Sequence, residues 1–434
     1  MHHRSLFVGI LGTAFTAATL PAQAGGFYLK EQSAEGVGRA FAGETALGAD
    51  ASTVYFNPSA MTKLDGTTVT GGFYTLFIDS EQSDRGTTRT GPGGAGSFPV
   101  GGNDGGNPFD EPVLLGNLYM ATPVNDRLWL GLGVNTPFGV VAEYDDGFFG
   151  RYDSKKSDLL TVNIQPSAAY KLNDVFSIGG GLNIQYVDVE LTNALPNLAP
   201  GSPDGSFRVQ GDDWSLGWNV GVLASLEAVD IGLHYRSEVK HDLEGDVTIG
   251  GLAGPLAAQN GTVPGGAPLT MPDIASLGAV WHLPDGRTRL LADVSWYNWS
   301  DFEEIAISTA SGARFESPQN YQDTWSFAVG GEYDYSNRLT LRTGVQFDET
   351  PTRDSFRTTR VPDGDRWWLT AGATYDLSET YSVALSYAHI FVSEESLNRT
   401  DTAYAGTPVA VDTTIRSQNT GSADIIGLGL TAKF

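Results

Sequence analysis

From residue 67 to the end of the chain, apolar and polar side chains alternate with a period of two in segments of about ten residues, the pattern of strands with one apolar face. Leu339, Leu341, Val345 and Phe347 share one face, with Arg342, Gly344, Gln346 and Asp348 on the other. Ile231, Leu233, Tyr235 and Val239 alternate in the same way with Gly232, His234, Arg236, Glu238 and Lys240. So do Ile426, Leu428, Leu430, Ala432 and Phe434 with Gly427, Gly429, Thr431 and Lys433. Alternation alone does not say whether the apolar face meets a soluble core or lipid. The connections discriminate better. Six short turn signals, at Asn125-Asp126, Asn173-Asp174, Ala228-Val229-Asp230, Pro284-Asp285-Gly286, Ser336-Asn337 and Ser378-Glu379, alternate with seven long polar or Gly/Pro-rich stretches. These stretches lie near 80–111, 142–157, 193–212, 242–267, 303–321, 350–363 and 395–419. Thirteen connections join fourteen strands with both ends on the short-turn side, as in bacterial outer-membrane barrels. The expected fold class is therefore all-β: a 14-stranded antiparallel transmembrane β-barrel over 67–434. Trp129, Trp214, Trp218, Trp281, Trp296, Trp299, Trp367 and Trp368 stand near strand ends, where interfacial girdles form.

The N-terminal part reads differently. Met1-His2-His3-Arg4, an apolar run from Leu6 to Leu20 and Ala22-Gln23-Ala24 form a secretory signal peptide over 1–24, too short for a spanning helix. Residues 25–66 lack strand alternation and hold helix-permissive pieces such as 36–46, followed by Asn57-Pro58. A barrel of this width has an aqueous lumen unless something fills it, and a loose tail has no need of Phe27, Leu29, Val37, Phe41, Val54, Tyr55 and Phe56. Residues 25–66 are accordingly read as a partly helical hatch inside the lumen.

Composition narrows the chemistry. With no Cys, disulfide scaffolds, thiolate metal sites and thiol catalysis are excluded. A net charge of −25 without a Lys/Arg cluster excludes nucleic acid as a partner. Once the signal peptide leaves, His234, His241, His282 and His389 remain, scattered, so no nucleophile and base pair is legible and no enzyme is expected. Gly91-Pro92-Gly93-Gly94-Ala95-Gly96 lacks the Lys and Ser/Thr of a phosphate loop. The acidic pairs at Asp145-Asp146 and Asp363-Gly364-Asp365 read as solvated surface, so neither a metal nor a cofactor is expected.

Several ordered motifs then resemble one family. They are Gly26-Phe27, Gly36-Val37-Gly38-Arg39-Ala40, Asn57-Pro58, Trp218-Asn219-Val220-Gly221, Tyr235-Arg236-Ser237-Glu238-Val239-Lys240 and Trp299-Ser300-Asp301-Phe302. Most specific are Arg342-Thr343-Gly344, Phe347-Asp348-Glu349-Thr350-Pro351 and Pro362-Asp363-Gly364-Asp365-Arg366-Trp367-Trp368-Leu369. Over nearly the whole mature length the chain resembles the FadL-type long-chain fatty acid transporters of the Gram-negative outer membrane, including the branch that imports monoaromatic hydrocarbons. The resemblance implies passive uptake of hydrophobic molecules and sideways release through a kink in the third strand. The matching residues there are Asn135, Thr136, Pro137, Phe138 and Gly139; a proline is expected only at an edge or bulge, and on that rule alone Pro137 equally well starts a loop. It further implies that Phe27 occupies a lumenal pocket and that Asn57 and Pro58 belong to the hatch. Arg236, Glu238, Lys240, Arg342, Asp348 and Arg366 are candidates for a lumenal polar network holding the hatch, against the plainer reading of a solvated lumen. Where fatty-acid-binding members carry basic residues, the aligned positions here are Asn193 and Ser317, with Arg314 nearby. That points to a pocket less committed to an anion, suited to neutral hydrocarbons or esters as well as acids. Expected partners are fatty acids, alkanes or monoaromatics, outer-membrane lipid and lipopolysaccharide, and the outer-membrane assembly machinery through the C-terminal Phe434. The competing reading is a general or cation-selective diffusion porin in which 25–66 does not plug.

Overall fold

The computed structural model describes residues 25–199 and 202–434; the expected signal peptide lies outside the described residues. Fourteen antiparallel strands close into a barrel. They are β1 (Thr68–Asp84), β2 (Val113–Asn125), β3 (Leu128–Asn135 and Gly139–Glu143), β4 (Lys156–Lys171), β5 (Phe176–Leu195), β6 (Gly205–Ser225) and β7 (Val229–Arg236 and Val239–Gly250). The others are β8 (Gly261–Met271 and Ile274–His282), β9 (Thr288–Tyr297 and Glu304–Thr309), β10 (Arg314–Pro318 and Thr324–Ser336), β11 (Leu339–Asp348), β12 (Arg366–Asp376), β13 (Tyr381–Ala403) and β14 (Val411–Lys433). Pairing of β1 with β14, from Thr68 opposite Lys433 to Asp84 opposite Ser417, closes the wall.

Burial resolves the ambiguity of the alternation. Phe73, Leu118, Leu130, Leu182, Leu216, Leu233, Val329, Leu369, Leu385 and Leu428 are exposed on the outside, while Asn163, Gln165, Asn183, Gln185, Asn219, Glu332 and Gln346 are buried inside. A soluble sandwich would show the reverse. Trp214, Trp218, Trp281 and Trp367 are exposed on the outer face as expected, but Trp129, Trp299 and Trp368 are buried inside; the Trp129 indole donates to the Leu64 carbonyl of the hatch at 3.1 Å.

The short turns form as read, except that the one read at Ala228-Val229-Asp230 lies at 226–228, since Val229 and Asp230 already pair with β8. Asn125 Oδ1 accepts from the amides of Arg127 and Leu128, Asn173 Oδ1 from Val175 and Phe176, and Asp285 Oδ1 from Arg287 and Thr288. The long connections are shorter than expected, because stretches read as loops continue as strand. β13 and β14 each run 23 residues and β6 runs 21, about twice what a bilayer requires, so their far ends project beyond the membrane.

One register reading is corrected. Along β7, Asp230, Gly232, His234 and Arg236 face inward, but beyond Ser237 the inward set becomes Val239, His241 and Leu243. Ser237 is the extra residue: its amide donates to the Trp218 carbonyl and its Oγ accepts from the Trp218 amide, both at 2.9 Å. Glu238 and Lys240 therefore lie on the outer face, paired with each other at 2.8 Å, and are not part of the lumenal network.

The hatch consists of α1 (Ala34–Gly38), α2 (Glu44–Leu47), α3 (Thr53–Phe56) and a 3-10 turn at Pro58–Lys63. Each is brief because capping residues and left-handed turns interrupt it. Ser33 Oγ accepts from the Gly36 amide, Asn57 Oδ1 from the Ser59 amide, and Ala40, Phe41, Gly43 and Gly48 take positive φ. The hatch backbone presses on the wall where the wall carries glycine. A Cβ on Gly232 would overlap the Thr45 carbonyl, one on Gly344 the Arg39 carbonyl, and one on Gly372 would come within 2.8 Å of the Gly38 Cα.

Candidate functional site

Above the hatch, the inner faces of β3 to β9 form an apolar cavity lined by residues such as Val140, Leu159, Val189, Leu243 and Leu269. Phe27 forms its floor. The ring meets Trp299 edge-on at 4.7 Å, Phe302 at 5.6 Å and Phe138 at 6.1 Å, and it is 3% exposed. Gly26 is needed behind it: with φ of +70°, its missing Cβ leaves room for the Trp299 ring, and its amide donates to Asp363 Oδ2 at 3.0 Å.

The same N-terminal segment meets the break in β3. That strand stops at Asn135 and resumes at Gly139, with Thr136, Pro137 and Phe138 between. Below the break β3 pairs with β2 as far as Leu118; above it, Gly139–Glu143 pairs with β4, and no ladder to Val113–Asn117 of β2 is present among the described residues. The hatch supplies the missing partners. The Leu29 amide donates to the Pro137 carbonyl at 2.8 Å, the Gly139 amide to the Phe27 carbonyl at 2.9 Å, and Gln32 Nε2 to the Thr136 carbonyl at 2.8 Å. Proline has no amide to donate, so its carbonyl is what a neighbouring chain can use.

The remaining polar candidates, Arg236, Arg342, Asp348 and Arg366, are buried. Lys30 Nζ binds Asp348 at 2.8 Å and Ser326 at 2.6 Å. Arg39 pairs with Glu44 at 2.8 Å and Glu332 at 3.0 Å, and Arg342 joins Glu332 to Glu35 of α1. Arg236 stacks on Tyr55 and donates to the Tyr55 carbonyl, Gln165 and Asn183. Asn57 donates to the Thr45 carbonyl at 2.7 Å and to the Val222 carbonyl of β6 at 3.3 Å, so it and Pro58 fix the hatch body far from the cavity. Arg366 pairs with Asp363, which is fully buried and is thus not a surface cation site.

A wider vestibule of about 1960 Å³ opens above the cavity and holds Asn193, Arg314 and Ser317. Arg314 is half-exposed and paired with Glu304 and Glu316, and Ser317 Oγ accepts from Arg399 at 2.9 Å. The residue that the sequence reading missed is Arg360, in the connection between β11 and β12. It lines both the cavity and the vestibule. Its Nε and Nη1 are buried without a hydrogen-bond partner, and Asp153, 3.7 Å away, gives its other oxygen to the Thr359 amide and hydroxyl. Burial holds this guanidinium below its ordinary value. No local pattern marks Arg360; only its place at the seam of two cavities does.

A closed fourteen-stranded barrel with a plugged lumen and an apolar cavity above the plug defines a class of outer-membrane transport protein. Residues 15–434 match the family described as outer membrane protein transport protein (OMPP1/FadL/TodX), and the chain belongs to it. It is 29% identical to the long-chain fatty acid transport protein of Escherichia coli K12, over 90% of this chain and 93% of that one. It is 28% identical to outer membrane protein P1 of Haemophilus influenzae over 98% of both. Among solved structures, a Pseudomonas aeruginosa FadL homologue superposes with a TM-score of 0.83 at 26% identity, covering 94% of this chain and all of that one. The Pseudomonas putida toluene transporter TodX shares the fold, with a TM-score of 0.67 at 16% identity, covering 95% of this chain and 100% of that chain. The protein resides in the outer membrane of a Gram-negative bacterium.

Proposed function

We propose that the protein passively takes up hydrophobic molecules from the outer surface and releases them sideways into the membrane between β2 and β3. One observation carries this reading: Phe27 floors the apolar cavity, and the same short segment, residues 27–29, supplies backbone partners of the break in β3. A molecule that enters the cavity and displaces Phe27 thereby also frees the break. The exit is then lined by lipid-facing wall and avoids the polar hatch, which suits an apolar solute.

The same cavity accommodates an acid head. With Asn193 and Ser317 uncharged, Arg360 supplies the cation, its free Nε and Nη1 facing a carboxylate whose tail lies in the cavity. Charge-assisted hydrogen bonds of this kind are worth about 1.5–3 kcal/mol. Arg360→Ala is expected to weaken oleate binding to the purified protein about tenfold or more, and to leave toluene or dodecane binding within about twofold. Equal losses for both ligands would assign Arg360 to folding instead, and no binding of any hydrophobic ligand would remove the uptake reading.

A further inference from the structure

Glu31 lies in the middle of the segment that meets the break, and it is 1% exposed with neither carboxyl oxygen hydrogen-bonded. Its flanking side chains are both committed: Lys30 to Asp348 and Ser326, Gln32 to the Thr136 carbonyl and to the Tyr119 hydroxyl, which donates to it at 3.1 Å. Its own carbonyl accepts from Asn117 of β2 at 3.2 Å, which sets the residue beside the unpaired part of the wall. Arg366 of β12, whose charge acts on Glu31, is also 1% exposed, and its Nη1 has no partner. Its Nη2 bonds to Asp363, the residue that holds the Gly26 amide. A buried carboxyl without a hydrogen-bond partner and a buried guanidinium with one nitrogen still free thus lie at the same hatch seam, and both are tied to the segment that Phe27 anchors.

We propose that Glu31 and Arg366 form a second seat for the N-terminal segment: unpaired when Phe27 fills the floor of the cavity, and joined as an ion pair when a bound molecule displaces it. The open, occupied arrangement is then favoured as pH rises. This rests on the reading that the cavity binds hydrophobic molecules at the expense of Phe27.

The sign follows from where the proton resides. In the closed arrangement, burial pushes the Glu31 carboxyl up to about 7. Pairing with Arg366 returns it to the ordinary carboxylate range or below. The closed arrangement therefore keeps a proton that the open one gives up, and it loses ground as pH rises from the ordinary carboxylate range to about 7, above which both are deprotonated and the balance is constant. The charged and titratable groups around Glu31 are Lys30 and Tyr55 of the hatch, Tyr74 on β1, Asp348 on β11 and Arg366 on β12. Lys30 and Asp348 neutralise each other at 2.8 Å, and phenols carry no charge near neutral pH, which leaves Glu31 as the group of this set that titrates there. Glu44, also pushed up to about 7 by burial, sits in α2 against Arg39 and does not ride on the segment.

The test is the affinity of the full mature protein in detergent for toluene, a ligand with no titrating group, across a pH series from about 4.5 to 8.5 that spans both carboxyl values. Affinity is expected to rise by up to about tenfold per pH unit on the way up to pH 7 and to level off above it. Glu31→Gln, nearly the same shape, is expected to bind at the low-pH level of the wild type at every pH. Heat-modifiable electrophoretic mobility establishes that both barrels are folded. A flat wild-type profile, or a slope that survives Glu31→Gln, overturns the proposal while leaving the uptake reading intact. If toluene fails to bind at any pH, the uptake reading falls and this one with it.

Discussion

One methyl group decides whether a wall position can carry the hatch. At Gly232 the Thr45 carbonyl occupies the space of a side chain, whereas at Gly331 the nearest atom to an added Cβ is the Arg289 carbonyl at 3.8 Å. Gly232→Ala is therefore expected to destabilise the folded protein by about 1–3 kcal/mol, the usual cost of overpacking, and Gly331→Ala to have little effect. The temperature at which the compact electrophoretic form is lost measures both; equal shifts would mean that the hatch yields at Gly232. At this scale the sequence was informative where a residue belongs to an ordered motif, as with Phe27, Asn57, Asp348 and Arg366. It was silent on Arg360 and Glu31. Their significance lies in what they do not touch, and a missing partner is a property of the assembled fold, with no local periodicity or spacing to announce it.

At the scale of single strands, alternation is a sound guide only while one face meets lipid. The far ends of β6, β13 and β14 lie beyond the membrane, where the outer face turns polar and the few apolar residues, such as Phe207, Leu397 and Ile415, face inward, so they were read as loops although the ladder hydrogen bonds continue there. The turns were legible because each needs a particular side chain to accept two backbone amides. The break in β3 was half legible: Pro137 marks it, but its pairing with residues 27–29 joins segments over a hundred positions apart. In β7 a single inserted residue reverses every later side chain, and the Tyr235 to Lys240 stretch gave no sign of it, since Glu238 and Lys240 suit either face near a headgroup region. Deleting Ser237 keeps Glu238 and Lys240 outward and Val239 and His241 inward, since Glu238 then follows Arg236 in regular alternation. It removes both bonds to Trp218 and opposes a single residue to Pro272-Asp273 of β8, and so is expected to misfold the upper part of β7. Loss of the heat-modifiable form, with unfolded chain recovered in its place, is the expected result; a normally folded barrel would show that the extra residue is dispensable.

For the whole molecule, the decisive question is what the lumen becomes without its hatch. The wall and hatch share their charges: Lys30, Arg39 and Lys63 of the hatch pair with Asp348, Glu332 and Asp230 of the wall. Asp293 in turn accepts from the Thr45 amide. A diffusion porin would carry a steady ion current through the intact protein, whereas a lumen filled in this way should show almost none. Deleting 25–66 removes the three cations and the Thr45 amide together. Asp230, Asp293, Glu332 and Asp348 then line a water-filled pore against Arg236 and Arg342, since Arg366 stays matched to Asp363. Charged rings of one sign select the opposite ion. The deleted form is therefore expected to conduct in planar bilayers and, across a KCl gradient, to give a reversal potential of cation-selective sign, strongest at low salt where screening is weakest. An unchanged, negligible conductance would show that the hatch is not what closes the lumen. A conducting but anion-selective pore would show that the wall acids are not the groups that the hatch cations neutralise.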